Sequence, residues 1–395
     1  MFSNLPEPPA DPILGMAQLF AADTSPEKVD LGIGVYHDAE GLAGVLSSVK
    51  AAERWLLENQ QSKKYYSSSG NAEFNDRTRA MLLGPDSAEF QRARTIQTPG
   101  GTGALKLAAD YIWSLAPQAR VFIPTPTWAN HNAIFPRAGL ELVRYPYYDP
   151  TSGQVLFDRM VEALGDLRAG DILLLHGCCH NPTGADLTLD QWREVAAIAN
   201  RHGALPLIDM AYMGFGEGLE EDAAAVRLLA SLVPEVMIAS SNSKNFALYR
   251  ERVGALTIIA ADEGQAIRAH AHAVPQARSN WSMPPDHGAA VVAHILSTPE
   301  LKTQWEGELA EMRDRVTGIR RALAEQLSSN SGRDFSFIAH QRGMFTQLDI
   351  GSDAVKVLRS RHHVHITGSG RMNVAGLTGG NVPMVARAIS QALAA

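Results

Sequence analysis

Lys244 stands in the run Ser240-Ser241-Asn242-Ser243-Lys244-Asn245-Phe246, directly after the apolar stretch Val236-Met237-Ile238-Ala239. A lysine at the end of a buried strand is costly unless its amine is paired or used. One such use is a Schiff base with the aldehyde of pyridoxal phosphate. The hydroxyls around it suit a phosphate, which takes several short donors at close range. Arg252, in Glu251-Arg252-Val253-Gly254, brings a cation to the same stretch. Taken alone, the run reads more simply as a solvated lysine in a serine-rich turn, so the rest of the chain has to decide.

Other residues of chemical interest fall beyond apolar runs. Gly100-Gly101-Thr102-Gly103 opens a helical pattern, and its N–H groups and dipole can hold a phosphate. Its spacing is not that of a dinucleotide fingerprint, and a tight connection is the plainer reading. Asp209 ends Leu207-Ile208-Asp209, with Ala211-Tyr212 just beyond. A carboxylate there can keep a pyridine nitrogen protonated, although a cap or an ion pair is commoner. His176-Gly177-Cys178-Cys179-His180-Asn181-Pro182-Thr183-Gly184 lacks the Cys spacing and second ligand pair of a zinc site, and reads as a shaped turn. Arg361-His362-His363-Val364-His365 reads as a polar strand, not a metal site. Arg371, framed by Gly368-Ser369-Gly370, suits bidentate carboxylate binding, and Arg278 in Ala277-Arg278-Ser279-Asn280-Trp281 is a second candidate. For either arginine alone, a surface salt bridge is the simpler assignment.

The elements that position these residues alternate. Strands are expected at Arg120–Pro124, Asp171–Leu175, Ala204–Asp209, Glu235–Ser240 and Gly254–Ala260, and helices at Ala104–Leu115 and Asp190–Arg201. Continuous apolar runs separated by helices imply a mostly parallel sheet covered on both faces, and such sheets bind ligands beyond their carboxyl ends. A long helix from about Pro299 to Leu327, with Trp305, Leu309, Met312 and Val316 on one face, leads to a smaller C-terminal α/β domain. Residues up to about Asp30, including Pro8-Pro9-Ala10-Asp11-Pro12, read as an extended arm, which hints at an oligomer.

At 395 residues the chain is expected to form two domains. Hydrophobic content of 45% and charged content of 19% are those of an ordinary soluble protein. A net charge of -7 argues against nucleic acid or an anionic membrane as a main partner. No run is long enough to span a bilayer, and Met1–Pro6 lacks the pattern of a secretory signal. Adjacent Cys178 and Cys179, the only cysteines, suggest a reduced, cytoplasmic protein.

Taken together, these residues resemble the aspartate/aromatic amino acid aminotransferase family, pyridoxal-phosphate enzymes of fold type I. The likeness runs from Pro9-Ala10-Asp11-Pro12-Ile13-Leu14-Gly15 and Leu31-Gly32-Ile33-Gly34-Val35-Tyr36, through Thr98–Leu105, His176–Gly184, Gly218–Asp222 and Ser243-Lys244-Asn245-Phe246, to Ser369–Gly376. It implies an α/β fold with a mostly parallel seven-stranded sheet in a large domain, 31-300, a small C-terminal domain, 301-395, and an N-terminal arm, 1-30, contributing to the latter. It also implies a homodimer with shared active sites. By the same resemblance, Lys244 holds the cofactor and shuttles the proton, Asp209 pairs with the pyridine nitrogen supported by His131, and Trp128 stacks on the ring. Asn181 and Tyr212 donate to the phenolic oxygen. Gly101, Thr102, Ser241, Ser243 and Arg252 cradle the phosphate, joined by Tyr65 of the neighbouring subunit. Arg371 grips the substrate α-carboxylate, with Gly34, Trp128 and Asn181 nearby, and Arg278 of the other subunit binds a distal carboxylate.

Some positions depart from the standard aspartate-specific pattern: Ser67-Ser68-Ser69-Gly70 after the tyrosine, Asn242 in place of an aromatic residue, Met283 beside Trp281-Ser282, and His37 and Ala43 in the N-terminal segment. A Met and a Trp near the pocket suggest a roomier, more apolar side-chain site; neutral drift of residues behind the pocket wall is the alternative. The leading expectation is transamination between aspartate, glutamate or aromatic amino acids and 2-oxo acids. A same-fold enzyme doing elimination, replacement or ring formation is the second reading, and a non-catalytic binding protein the third.

Overall fold

The computed structural model describes Phe2, Leu5 and residues 12–394. Its centre is a seven-stranded sheet whose strands we number β1 (Ala93–Pro99), β2 (Arg120–Thr125), β3 (Glu141–Pro146), β4 (Ile172–His176), β5 (Leu205–Met210), β6 (Val236–Ser241) and β7 (Val253–Ile259). Their order across the sheet is β1-β7-β6-β5-β4-β2-β3. Neighbours from β6 to β3 are parallel. Strand β7 runs antiparallel to both of its neighbours. The expected mostly parallel sheet is therefore present, with one reversed strand. Strands β4, β6 and β7 are buried along their whole length, because helices cover both faces, and this is why they read as unbroken apolar runs.

Two hydrophobic cores flank the sheet. One contains Leu105, Leu107 and Ile112 of the helix Gly100–Leu115 together with Ala273 and Ala277. The other contains Trp192 and Val195 of Leu189–His202, Val226 and Leu229 of Leu219–Leu232, and Ile295. Leu189–His202 opens on a reciprocal capping box between Thr188 and Gln191 and stops at Gly203, φ +66°. A third core joins Leu31 to residues between Ile319 and Ala392. The long helix, Pro299–Ser331, spans two of these cores. Trp305, Leu309, Met312 and Val316 pack with the sheet-bearing core, whereas Ile319, Leu323 and Leu327 belong to the third.

The extended arm is corrected in part. Pro12–Ala22 is a helix. Proline at the first helical position sacrifices no hydrogen bond, and no further proline interrupts the ten residues that follow. The segment Pro8–Asp11 lies outside the described residues. The polar strand expected around residues 361–365 shrinks to Val364–His365, paired in parallel with Val29–Asp30, because Arg361 and His362 end the preceding helix. His363 and His365 instead grip one carboxylate, Asp23, at 2.9 and 2.7 Å. Among the described residues, no helix is long and apolar enough to cross a membrane.

Candidate active site

Strand direction and register gather the site. In the parallel part of the sheet, His176 of β4 lies beside Asp209 of β5, and Asp209 beside Ala239 of β6. Because β7 is reversed, its first residues face the end of β6, with Gly254 opposite Ser241. Strand β1 is reversed again relative to β7, so Pro99 meets Val253 and the helix beginning at Gly100 starts at the same edge. The ends of four strands and the start of a fifth thus converge. Around them lies a cavity of about 280 Å³, lined by Ile33, Gly34, Val35, Gly101, Thr102, Leu105, Trp128, Asn181, Asp209, Ala211, Tyr212, Ser241, Ser243, Lys244, Tyr249 and Arg252.

Lys244 reaches this cavity from the loop between β6 and β7, with Nζ 4.8 Å from the centre of the Tyr212 ring. Among the described residues, it makes no salt bridge. Burial lowers its pKa to about 8; Asp209 opposes that shift, and Arg252 and Arg371 add to it. Asp209 is itself enclosed. Burial, the largest single influence, favours its neutral form, but the hydrogen bond and charge of His131, with His176 and Lys244, together hold the carboxyl below its ordinary value. His131 Nε2 lies 3.1 Å from Asp209 Oδ2, and Nδ1 lies 2.8 Å from Thr127 Oγ1. His131 is fully buried behind the aspartate, edge-on to Trp128. The Asn181 amide donates to Tyr212 Oη at 3.3 Å, and burial pushes the Tyr212 hydroxyl up.

One end of the cavity is built for an anion. The 16-residue helix Gly100–Leu115 begins there, close to the hydroxyls of Ser241 and Ser243, 3.2 Å apart. Arg252 donates from Nη1 to Ser243 Oγ and to the Tyr249 carbonyl, with no carboxylate partner. Its φ of +54° is a left-handed backbone costing about 1–2 kcal/mol for a residue with a Cβ. Gly100 explains the close fit: a Cβ there would stand 2.4 Å from the Arg252 guanidinium. Arg371 does not line this cavity, but it touches it through Asn181. Its Nη1 donates to Asn181 Oδ1 at 3.4 Å and its Nη2 to the Gly32 carbonyl at 2.6 Å. Its Nε is buried without a partner, and burial depresses its pKa. The Phe345 ring lies under its guanidinium, 4.5 Å away.

Not every expected residue is assembled within one chain. Tyr65 is 92% exposed and Arg278 is exposed near the end of its helix; neither lines the cavity. Met283 and Trp281 do not line it either. The Met283 thioether instead accepts the Tyr66 N–H at 2.9 Å. Two residues escaped sequence reasoning. Tyr249 lines the cavity, and His176 is packed between the His131 and His180 rings with both ring nitrogens unpartnered. The place of His176 at a strand end was a usable signal; Ala247-Leu248-Tyr249-Arg250 carries none.

This geometry has counterparts. The profile of the family "Aminotransferase class I and II" matches residues 26–389. The chain belongs to that family. The aminotransferase is 48% identical over 392 residues to an aspartate aminotransferase of Salmonella typhi, covering 98% of this chain and 99% of that one. It is 44% identical over 390 residues to an aromatic-amino-acid aminotransferase of Paracoccus denitrificans, again covering 98% and 99%. Among solved structures, the aromatic-amino-acid aminotransferase of Burkholderia pseudomallei, described as covalently bound to pyridoxal phosphate, superimposes with a TM-score of 0.97. It is 44% identical and is matched over 99% of its length and 100% of this chain. The fold-type reading of the sequence is thereby borne out, and specialised elimination or ring-forming chemistry is not favoured.

Proposed function

We infer that this chain is a pyridoxal-phosphate aminotransferase that moves an amino group between aspartate, glutamate or aromatic amino acids and 2-oxo acids. The observation that carries the reading is Lys244. It is an enclosed amine with no anionic partner in contact, its pKa is brought to about 8, and a buried aspartate stands on the neighbouring strand. The residues fit the cofactor at both of its polar ends. Arg252, Ser241, Ser243, Gly101 and Thr102 form a cradle with no acid in it, and Asp209 is kept anionic where a ring nitrogen needs a proton held.

Pyridoxal phosphate supplies an electron sink for the bond broken at the substrate α-carbon. Lys244 would hold the cofactor covalently, and its amine would carry the proton to and from that carbon, a task suited to an amine close to neutrality. Asp209, braced by His131 and Thr127, holds the proton on the ring nitrogen. Asn181 and Tyr212 would bind the phenolic oxygen, and Trp128 would cover one face of the ring. Arg371 orients the α-carboxylate, so that the C–H bond faces Lys244, with Gly34 flanking the substrate. We assign Tyr65 and Arg278 to the partner's site in a homodimer, where they would reach a phosphate and a distal carboxylate; their exposure here supports that role. We place the large domain at 31-300 and the small one at 301-395, with the arm 1-30 attached to the latter, and the enzyme in the cytoplasm.

The test is a half-reaction. Purified holoenzyme is mixed with single amino acids without any 2-oxo acid, and the cofactor's absorbance is followed. Stoichiometric conversion to the amino form with aspartate, glutamate or aromatic donors is expected. Ammonia release, or no spectral change with any donor, overturns the reading.

A further inference from the structure

Residues 31–37 supply three cavity-lining residues, Ile33, Gly34 and Val35, yet their hydrogen bonds run almost wholly to the C-terminal part of the chain. Leu31 exchanges bonds with His365 and Asn373. The Asn373 amide donates to the carbonyls of Ile33 and Val35 at 2.8 and 2.7 Å, Arg371 donates to Gly32, and His37 N–H donates to Ala375. Arg315 of the long helix donates to Tyr36 Oη at 3.1 Å and lies over its ring. Toward the loop between β6 and β7 that carries Lys244, among the described residues, the segment makes one hydrogen bond. The backbone N–H of Tyr36 donates to Tyr249 Oη at 2.9 Å.

We propose that the Tyr249 hydroxyl is the latch that fixes residues 31–37 over the cavity, a positioning residue for substrate binding. The inference rests on the transamination reading above. Tyr249 is well sited for this. It lies on the same loop as Lys244 and Arg252, five residues after the one and three before the other, and its carbonyl accepts from Arg252. The latch therefore ties the wall formed by Ile33, Gly34 and Val35 to the loop that carries the reactive amine. Burial raises the Tyr249 hydroxyl to about 12, so it stays neutral and accepts the amide without placing a charge beside the wall. Removing the oxygen leaves the Tyr36 N–H without a partner and frees the wall, while the cofactor contacts remain.

The test uses cofactor-loaded Tyr249→Phe. Hydrogen exchange of the peptide spanning residues 31–38 is expected to speed up roughly two- to tenfold, the value of one net hydrogen bond. KM for the amino donor should rise by a similar factor, with kcat changed less and the cofactor's absorbance and its pH dependence unchanged. Unaltered exchange at 31–38 overturns the proposal, and so does loss of cofactor with exchange unaltered, which would make Tyr249 a cradle residue only. The exchange readout needs no turnover, so it stands or falls separately from the assignment of the reaction.

Discussion

Arg371 and Arg320 are both buried guanidiniums, and the structure predicts opposite consequences for removing them. Arg320 spends its donors on the carbonyls of Ile338, Arg342, Gly343 and Phe345. Arg371 reaches one carbonyl and one distant amide oxygen, and its Nε has nothing. A buried charge without its counter-ion is a cost that an apolar replacement removes. Arg371→Leu should therefore leave the thermal midpoint of the holoenzyme unchanged or raised, the stranded Gly32 carbonyl offsetting about 1 kcal/mol of the gain. Arg320→Leu leaves several carbonyls unsatisfied at about 1–3 kcal/mol each and should lower the midpoint steeply. Activity should move the other way for Arg371. Two charge-assisted bonds to an α-carboxylate are worth roughly 1.5–3 kcal/mol each, so kcat/KM for amino acids should fall roughly 10²- to 10⁴-fold. An amine lacking the α-carboxylate should lose nothing. The assays are half-reaction kinetics with both substrates and thermal unfolding of both variants. A loss below about tenfold for amino acids, or an equal loss for the plain amine, would refute the assignment of Arg371 to the carboxylate.

Asp209→Asn breaks a buried charge pair worth about 3–5 kcal/mol, and kcat should fall roughly 10²- to 10⁴-fold while the cofactor stays covalently held; a fall below tenfold in stopped-flow half-reactions would count against a role at the ring nitrogen. In cofactor-free protein, covalent capture of pyridoxal phosphate should accelerate with pH through about 8 and then level off, because only the neutral amine of Lys244 attacks; a midpoint near the ordinary lysine value would contradict the burial argument. Asp222 accepts the N–H groups of Gly214, Gly216 and Glu217, so Asp222→Ala should cost roughly 3 kcal/mol or more, read as a lowered thermal midpoint, with Asp222→Asn milder. Asp23 is held below its ordinary value, first by His365. Its contribution is thus present above the unfolded pKa of about 3.9 and is lost as pH falls below that value toward the lower folded one. The thermal midpoints of wild type and Asp23→Asn should differ at neutral pH and converge in acid; a gap that persists in acid would disprove the linkage.

The strands of the sheet were legible because parallel strands covered on both faces must be apolar throughout, as Leu173-Leu174-Leu175 and Val236-Met237-Ile238 are. Lys244, Asp209 and Gly101 were legible because polar residues at the ends of such runs stand out. The reversal of β7 was not: an apolar run says nothing of its direction, and that reversal is what brings Arg252 and Gly100 to the same edge. Tyr249 was invisible because its partner, Tyr36, is 213 residues away and the contact uses a backbone amide that any sequence would offer. The helix Pro12–Ala22 was read as extended because Pro8, Pro9 and Pro12 were weighed without regard to position, and Pro12 sits where a helix tolerates one. Met283 was placed near the pocket by its neighbours in sequence, and within a single chain it lies outside the cavity lining.

The charges of the site also explain why its two ends are separate. Arg252 stands at the helix start and Arg371 beside Asn181, with Lys244 and Asp209 between them. Within this group a single carboxylate faces three basic side chains, and that carboxylate is already bound to His131. The excess is held in place by unlike means. Arg252 is fixed by hydroxyl and carbonyl contacts and by a left-handed backbone, whereas Arg371 is fixed by Gly32, Asn181 and the Phe345 ring. Neither arginine is anchored by an acid, so neither must break an ion pair to accept an anion, and the burial already imposed by folding becomes affinity when one arrives. Both arginines depress the Lys244 amine. An anion at either end must therefore raise that amine's proton affinity. The Arg252 end and the Arg371 end are thus coupled through the lysine between them, with no movement of the backbone required.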